Sequence, residues 1–348
     1  MWGLVLPVAF LSTLSLAVIS SISGHLFILQ LSWMLIGACI IIVFFFIDWR
    51  TILNYRWFVQ ILYGLGLLLL VFVYFKGPVI KNTRSWLVLG PFTFQPVELI
   101  KISLILLYAR FFSRRHIEIA RFKTIITTFI YFIIPTALVA LLPDLGSASV
   151  LFVIWFGMLI VSGLPLRRII LAIGIFIILG VIGWSAVLKD YQRERIVGVF
   201  YPEQNALSIN YSLNQAKIAI GSAGFFGKGY GQGTQTQLGF LTEPGTDFIL
   251  AAVIEEWGML GGLLAIGAFL SLIFAILKVS IRADHNFEKL ICLGAILVFV
   301  WQFFLNVGST IGLSPVVGLT FPFLSYGGSS LLINFSLLGI IIGVAKRS

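Results

Sequence analysis

The sequence predicts an all-α polytopic membrane protein. It should have about ten transmembrane helices, both termini cytoplasmic, and one long extracellular loop carrying an interfacial helix. Composition, run length and charge placement predict it. Of the 348 residues, 59% are hydrophobic and 10% charged, where a soluble domain carries about 25% charged residues. The apolar residues fall in runs of membrane-crossing length, and the basic residues fall between them. The net charge of +10 would suit nucleic acid in a soluble chain. Here the lysines and arginines sit in short links, where they act as topology signals, and nucleic acid is excluded as a partner.

A span needs about 20 apolar residues. Candidate runs lie at 3–21, 29–47, 57–75, 96–112, 124–141, 146–163, 167–187, 247–278, 288–310 and 324–345. The first follows Met-Trp-Gly, which lacks the basic start of a cleaved signal, so it is taken as a span. The run from 247 exceeds one span and is expected to tilt or project beyond the bilayer. With the N-terminus inside, fourteen basic residues lie on the inner side against eight on the outer. Most of the eight belong to the long loop, about 188–246, which the positive-inside rule weights weakly. That loop therefore faces outward. The whole chain, 1–348, is a single integral membrane domain. Cys39 and Cys292 both lie inside apolar runs and give no disulfide framework or metal spacing.

The long loop has its own pattern. Over 208–220, Ile209, Leu213, Ala216 and Ile220 share one helical face, as in an amphipathic helix at the membrane interface. A glycine-rich stretch from Gly221 to Gly233 follows. Its Gly227-Lys228 lacks the following Ser or Thr and the spacing of a P-loop. His25, His116 and His285 are scattered and form no triad or metal cluster.

Several ionisable residues can carry chemistry. Thr246 is positioned to cap a helix, which puts Asp247 in its first turn. There Asp247 either complements the helix dipole or serves as an ionised general base. Glu255 and Glu256 lie deeper in the same run and should face partners inside the bundle. Glu98 and Lys101, spaced i and i+3, form a natural pair. With Glu255 they suggest a supporting ion-pair lock, or else a catalytic group. Asp144, in Leu-Pro-Asp-Leu-Gly, is read first as a turn residue. Arg193 and Arg195 either anchor at the interface or bind an anionic headgroup or pyrophosphate with forked contacts.

Four stretches together resemble the SEDS proteins (shape, elongation, division and sporulation), nearer the RodA than the FtsW branch. They are Arg84-Ser85-Trp86 with Gly90 and Gln95-Pro96-Val97-Glu98 to Lys101; Pro143-Asp144-Leu145-Gly146; the loop from Tyr191 through Gly227-Lys228-Gly229 to Asp247-Phe248-Ile249; and Asn306 to Ser330, ending PFLSYGGSS. The resemblance covers about 48–345. Val97, Leu142, Thr242, Pro244-Gly245 and Ile254 depart from the usual family residues, while Asp247 is intact.

The resemblance implies a peptidoglycan glycosyltransferase that polymerises lipid II at the outer face of the bacterial cytoplasmic membrane during cell elongation. Asp247 then matches the family's essential aspartate, and Glu98 with Lys101 its fourth-span pair. The implied reaction is inverting, with Asp247 as general base on the acceptor 4-hydroxyl and undecaprenyl pyrophosphate leaving. Charge on the pyrophosphate calls for cations. Arg193, Arg195, Lys217, Lys228 or a divalent metal such as Mg or Mn are candidates, with Asp144 and Arg84 as further substrate-binding candidates. Implied partners are a class B penicillin-binding protein and other rod-complex membrane proteins. A lipid II flippase and a non-catalytic scaffold are the competing readings.

Overall fold

The computed structural model describes residues 1–47, 49–53, 55–80, 83–90, 92–114, 122–186, 190–201 and 210–347. The order is α1 (Trp2–Ile22), α2 (Gly24–Phe46), α3 (Trp49–Leu53), α4 (Arg56–Lys76), β1 (Leu87–Leu89), β2 (Phe92–Phe94), α5 (Pro96–Ser113), α6 (Phe122–Leu141) and α7 (Leu145–Val161). Then come α8 (Leu166–Ala186), α9 (Asp190–Phe200), α10 (Tyr211–Ser222), α11 (Thr234–Gln237), α12 (Ile249–Arg282), α13 (Asn286–Ile311) and α14 (Gly328–Ala345). Each of the ten apolar runs is a helix. Among the described residues, seven of them (α1, α2, α4, α6, α12, α13 and α14) are long and apolar enough to cross a membrane. Apolar α7 has only 17 residues, and α5 carries Glu98, Lys101 and Arg110.

Local chemistry sets the helix ends. Ser23 caps α2 by accepting from Leu26 N, Pro96 opens α5 at a position where no N–H is needed, and Gly312 closes α13 in the left-handed region. The bundle packs through small residues, as expected where lipid supplies no hydrophobic drive between helices. A Cβ at Gly37 would fall 2.2 Å from the Phe335 ring, and one at Gly328 2.2 Å from the Trp33 ring, so α2 and α14 approach closely. Gly294 of α13 admits Ile105 of α5 in the same way. Buried α5 and α14 thus form the middle of the bundle, with α13 packed between α5, α7 and α12.

The structure adds detail at four points. The run from 247 is not one overlong helix: α12 is broken at Gly258 (φ 74°, ψ −177°) into a short leading segment and a membrane-length remainder. The long loop holds an additional helix, α9, bearing Arg193 and Arg195. The amphipathic helix starts at Tyr211, and Ile209 lies outside the described residues. Its buried stripe is Leu213, Ala216 and Ala219, seated against α12 and α13. Finally, a small antiparallel hairpin, β1–β2, precedes α5.

Candidate functional site

The Asp247 turn is built by three segments. Thr246 does not cap a helix: its Oγ1 turns back onto Glu243, 3.1 Å from Oε2. Glu243 takes a left-handed conformation (φ 52°), and its carbonyl accepts from Thr246 N and Phe248 N. The helix therefore begins only at Ile249, leaving half-buried Asp247 in the turn ahead of it. Three further carbonyls of the turn are taken. Tyr326 N donates to Gly245 O at 2.7 Å, and Ser325 Oγ to Thr246 O at 2.7 Å. Asn306 Nδ2 reaches Asp247 O at 3.1 Å, Thr246 O at 3.4 Å and Leu319 O at 2.8 Å.

The same Phe-Leu-Ser-Tyr-Gly-Gly-Ser-Ser segment reaches further. Ser329 Oγ donates to Thr93 O and accepts from Gln95 N, both at 3.0 Å. Gln95 Nε2 donates to Asp144 Oδ2 at 2.8 Å. Asp144 in turn caps α7, accepting from Ser147 N at 2.9 Å and Ser147 Oγ at 2.8 Å. Asp144 is thus engaged as the N-cap of α7, beyond the turn role read from the sequence, and also as a tie to the hairpin. Arg84 stands exposed just before β1.

Glu98 and Lys101 pair with each other, and Glu255 takes other partners. Lys101 Nζ lies 2.6 Å from Glu98 Oε1 inside α5, the lysine wholly buried. Glu255, also wholly buried, pairs with Lys228 Nζ at 2.9 Å. It further accepts from Gln235 N, Thr236 N and Thr236 Oγ1 at 2.8, 3.0 and 2.8 Å. Lys228 also donates to Thr234 Oγ1, so its ammonium serves the loop's architecture. The partner that Glu255 needs is supplied by the glycine-rich loop because that loop docks on the α12 break. Glu256, one residue on, accepts from Ser21 Oγ of α1 at 2.6 Å.

The remaining cations gather elsewhere. Arg195 Nη1 donates to Val316 O at 3.1 Å, and Lys217 lies so close over Gly312 that a Cβ there would be 2.9 Å from its ammonium. Both therefore meet the 312–316 segment. Arg193 lies 3.6 Å from Asp190 on the same helix. A cavity of about 80 Å³ opens here, lined by Arg195, Asn210, Ser212 and Ser314 among others, and Thr242 Oγ1 donates to Ser212 Oγ, tying α10 to the segment that leads into Asp247. A cavity of about 380 Å³ lies at the other end of α12, lined by Arg50, Arg114, Asp284, His285 and Glu288 among others. Its lining includes none of the residues around Asp247.

Sequence reasoning quoted Asn306 and Ser325 without giving them a role, and it passed over Gln30, whose Nε2 donates to Ser325 O at 3.3 Å. The usable signal was polarity: all three are buried polar side chains, which must find partners. Among the described residues no three His, Cys, Asp or Glu side chains gather as a metal-holding group.

The chain is similar to known proteins over nearly its whole length. The FtsW/RodA/SpoVE family, described as cell cycle protein, matches residues 1–348. Peptidoglycan glycosyltransferase MrdB of Escherichia coli K12 is 37% identical over 290 residues, covering 83% of this chain and 78% of its own. Stage V sporulation protein E of Bacillus subtilis 168 is 32% identical over 288 residues, covering 81% and 76%. A chain of a peptidoglycan synthase complex that coordinates polymerization and crosslinking superposes with TM-score 0.85 at 30% identity, covering 100% of this chain and 98% of that one. The Thermus thermophilus rod shape determining protein RodA gives TM-score 0.73 at 28% identity, covering 100% and 97%.

Proposed function

This chain belongs to the FtsW/RodA/SpoVE family, and we propose that it is a peptidoglycan glycosyltransferase polymerising lipid II at the outer face of the bacterial cytoplasmic membrane. The observation that carries this is the seating of Asp247. Its backbone is pinned from α13 and from the segment before α14, while its side chain stands in a turn ahead of the short leading segment of α12. A carboxylate so held can orient an acceptor sugar and remove its proton without being free to move, which is how pre-organisation lowers a barrier.

The acceptor's 4-hydroxyl gives its proton to Asp247 as its oxygen attacks the donor's anomeric carbon. The bond to undecaprenyl pyrophosphate breaks and the leaving group takes the electron pair. Arg195 and Lys217, gathered on the 312–316 segment, are the cations best placed to meet that charge. Arg193 stays a candidate beside them. Lys228 is committed to Glu255 and Thr234. Arg84 and Asp144 belong to the hairpin side, where Asp144 positions Gln95. The described residues build no carboxylate cage for Mg or Mn. Magnesium is commonly held by one or two carboxylates with substrate phosphates, so the pyrophosphate would supply part of the site of any such ion.

The proposal includes a topology: both termini cytoplasmic and Asp247 outside. It also includes a class B penicillin-binding protein as the crosslinking partner, in keeping with the peptidoglycan synthase complex one chain of which this chain resembles, and other rod-complex membrane proteins. The test is reconstitution of the purified chain, with and without such a partner, on labelled lipid II. Wild type should yield glycan ladders and Asp247→Asn none, while the variant purifies and melts like wild type. Ladders from Asp247→Asn, or intact lipid II under every condition, would overturn the proposal.

A further inference from the structure

The glycine-rich loop is spliced into α12. At the Gly258 break, Met259 N and Leu260 N donate to Gly224 O and Phe225 O, both at 3.1 Å. The helix carbonyls freed by this, Glu255 O and Glu256 O, accept from Lys228 N at 2.9 Å and Gly229 N at 3.0 Å. Four backbone groups of the loop and four of the helix satisfy one another. Irregular backbone is tolerated at membrane depth only where protein satisfies it in this way.

Three aromatic side chains stand on the loop's outer surface, beside exposed Ser222 and Gln232. Phe225, Phe226 and Tyr230 are 56%, 77% and 55% exposed. Their height is set by α1: Tyr230 Oη lies 2.8 Å from Ser20 Oγ, and Ser20 sits in the last turn of a helix of membrane-crossing length. The turn at Ser23 leads directly into α2, a second such helix. The loop tip is therefore level with the point where two spans end. Below it, exposed Leu260, Leu263 and Leu264 of α12 continue the apolar surface along that helix.

We propose that Phe225, Phe226 and Tyr230 are seated in the boundary of the bilayer at the Asp247 end of the bundle, anchoring the glycine-rich loop to lipid. Aromatic side chains suit that level, where an apolar body and a polar tip are both accommodated. A lipid surface is favoured over a protein partner because the patch is level with the ends of α1 and α2 and continuous with the exposed face of α12. The anchored loop holds the break, and the segment Ile249–Trp257 leads from the break back to Asp247. At 1.5 Å per residue that segment sets the turn roughly 13 Å from the anchor along the helix. The inference rests on the membrane-spanning helices and not on the reaction.

The test uses the full-length chain in phosphatidylcholine–phosphatidylglycerol vesicles with exposed Cys39 replaced by Ala. A nitroxide on Phe226→Cys is compared with one on Leu263→Cys, the lipid reference, and one on Glu243→Cys, the water reference. Power saturation reads access to oxygen against access to a nickel chelate. The oxygen-to-nickel ratio at 226 is expected to shift several-fold from the Glu243 value toward that of Leu263. A ratio matching Glu243 overturns the proposal, and so does a label shielded from both reagents, as a covering protein would make it. Labels on Phe225→Cys and Tyr230→Cys repeat the measurement should Phe226→Cys disturb the splice.

Discussion

Asp247 owes its placement to donors on other parts of the chain. Asn306 Nδ2 alone serves three carbonyls, two of them in the Asp247 turn. Asn306→Leu removes that donor while keeping the volume similar, leaving buried carbonyls unpaired at about 1–3 kcal/mol. The chain should still fold. Polymerisation should fall by about one to two orders of magnitude, since small misplacements of a reacting group are costly. A lower turnover with an unchanged lipid II dependence, read by glycan ladders, supports a positioning role. Wild-type rates would dismiss it. Glu255 behaves differently, because its loss breaks architecture. Glu255→Gln leaves Lys228 without its counter-charge, and losing one member of a buried pair costs about 3–5 kcal/mol. Lys228 is partly exposed, so the low end applies. The melting temperature should drop, and the 228–237 segment should become protease-sensitive. The family motif pointed to Asp247, but Asn306 and Ser325 could not be read as its clamp, because hydrogen bonds across 59 and 79 residues leave no local spacing signal.

At the scale of elements, the break in α12 was the feature least legible in the sequence. Gly258 stands in an apolar run beside Gly261 and Gly262, and nothing in that run distinguishes a helical glycine from a broken one. The structure distinguishes it through φ 74° and through the loop pressed against it. A Cβ on Gly258 would fall 2.2 Å from Phe225 O, and one on Gly227 2.3 Å from Glu256 O. Gly258→Ala and Gly227→Ala should each therefore expel the loop from the seam. Gly267 of the same helix has open space around its Cβ position, so Gly267→Ala should be neutral or slightly stabilising through helix propensity. Hydrogen exchange over 224–232 checks this: faster exchange in the first two variants and unchanged exchange in the third. Equal exchange in all three would mean the splice does not hold the loop. The helices themselves were legible because apolar length is a strong signal. Helix α9 was not, because its polar Tyr-Gln-Arg-Glu-Arg start carries no apolar stripe.

At the scale of the molecule, the charge distribution makes one prediction that everything above depends upon. The 312–316 segment, the Asp247 turn and the glycine-rich loop all gather at one end of the bundle, and the basic links of the inner side lie at the other. At that other end Arg50 Nε reaches Glu288 at the start of α13, 2.7 Å away, and Lys346 Nζ lies 4.2 Å from the Phe45 ring centre. A polymerase of cell-wall precursors needs the first end outside. The positive-inside rule gives that orientation, and its margin widens to fourteen basic residues against three (Lys76, Lys81 and Arg84) once the five long-loop cations are discounted. Cysteine labelling tests it. In a Cys39→Ala background, Glu243→Cys should react with a membrane-impermeant maleimide in right-side-out vesicles, and Lys346→Cys only after permeabilisation. Glu243 and Lys346 are both exposed, so burial does not confound the comparison, and buried Cys292 stays silent in both. The reverse pattern would put Asp247 in the cytoplasm, where it could not extend a strand outside the membrane, and the glycosyltransferase reading would fall with the topology.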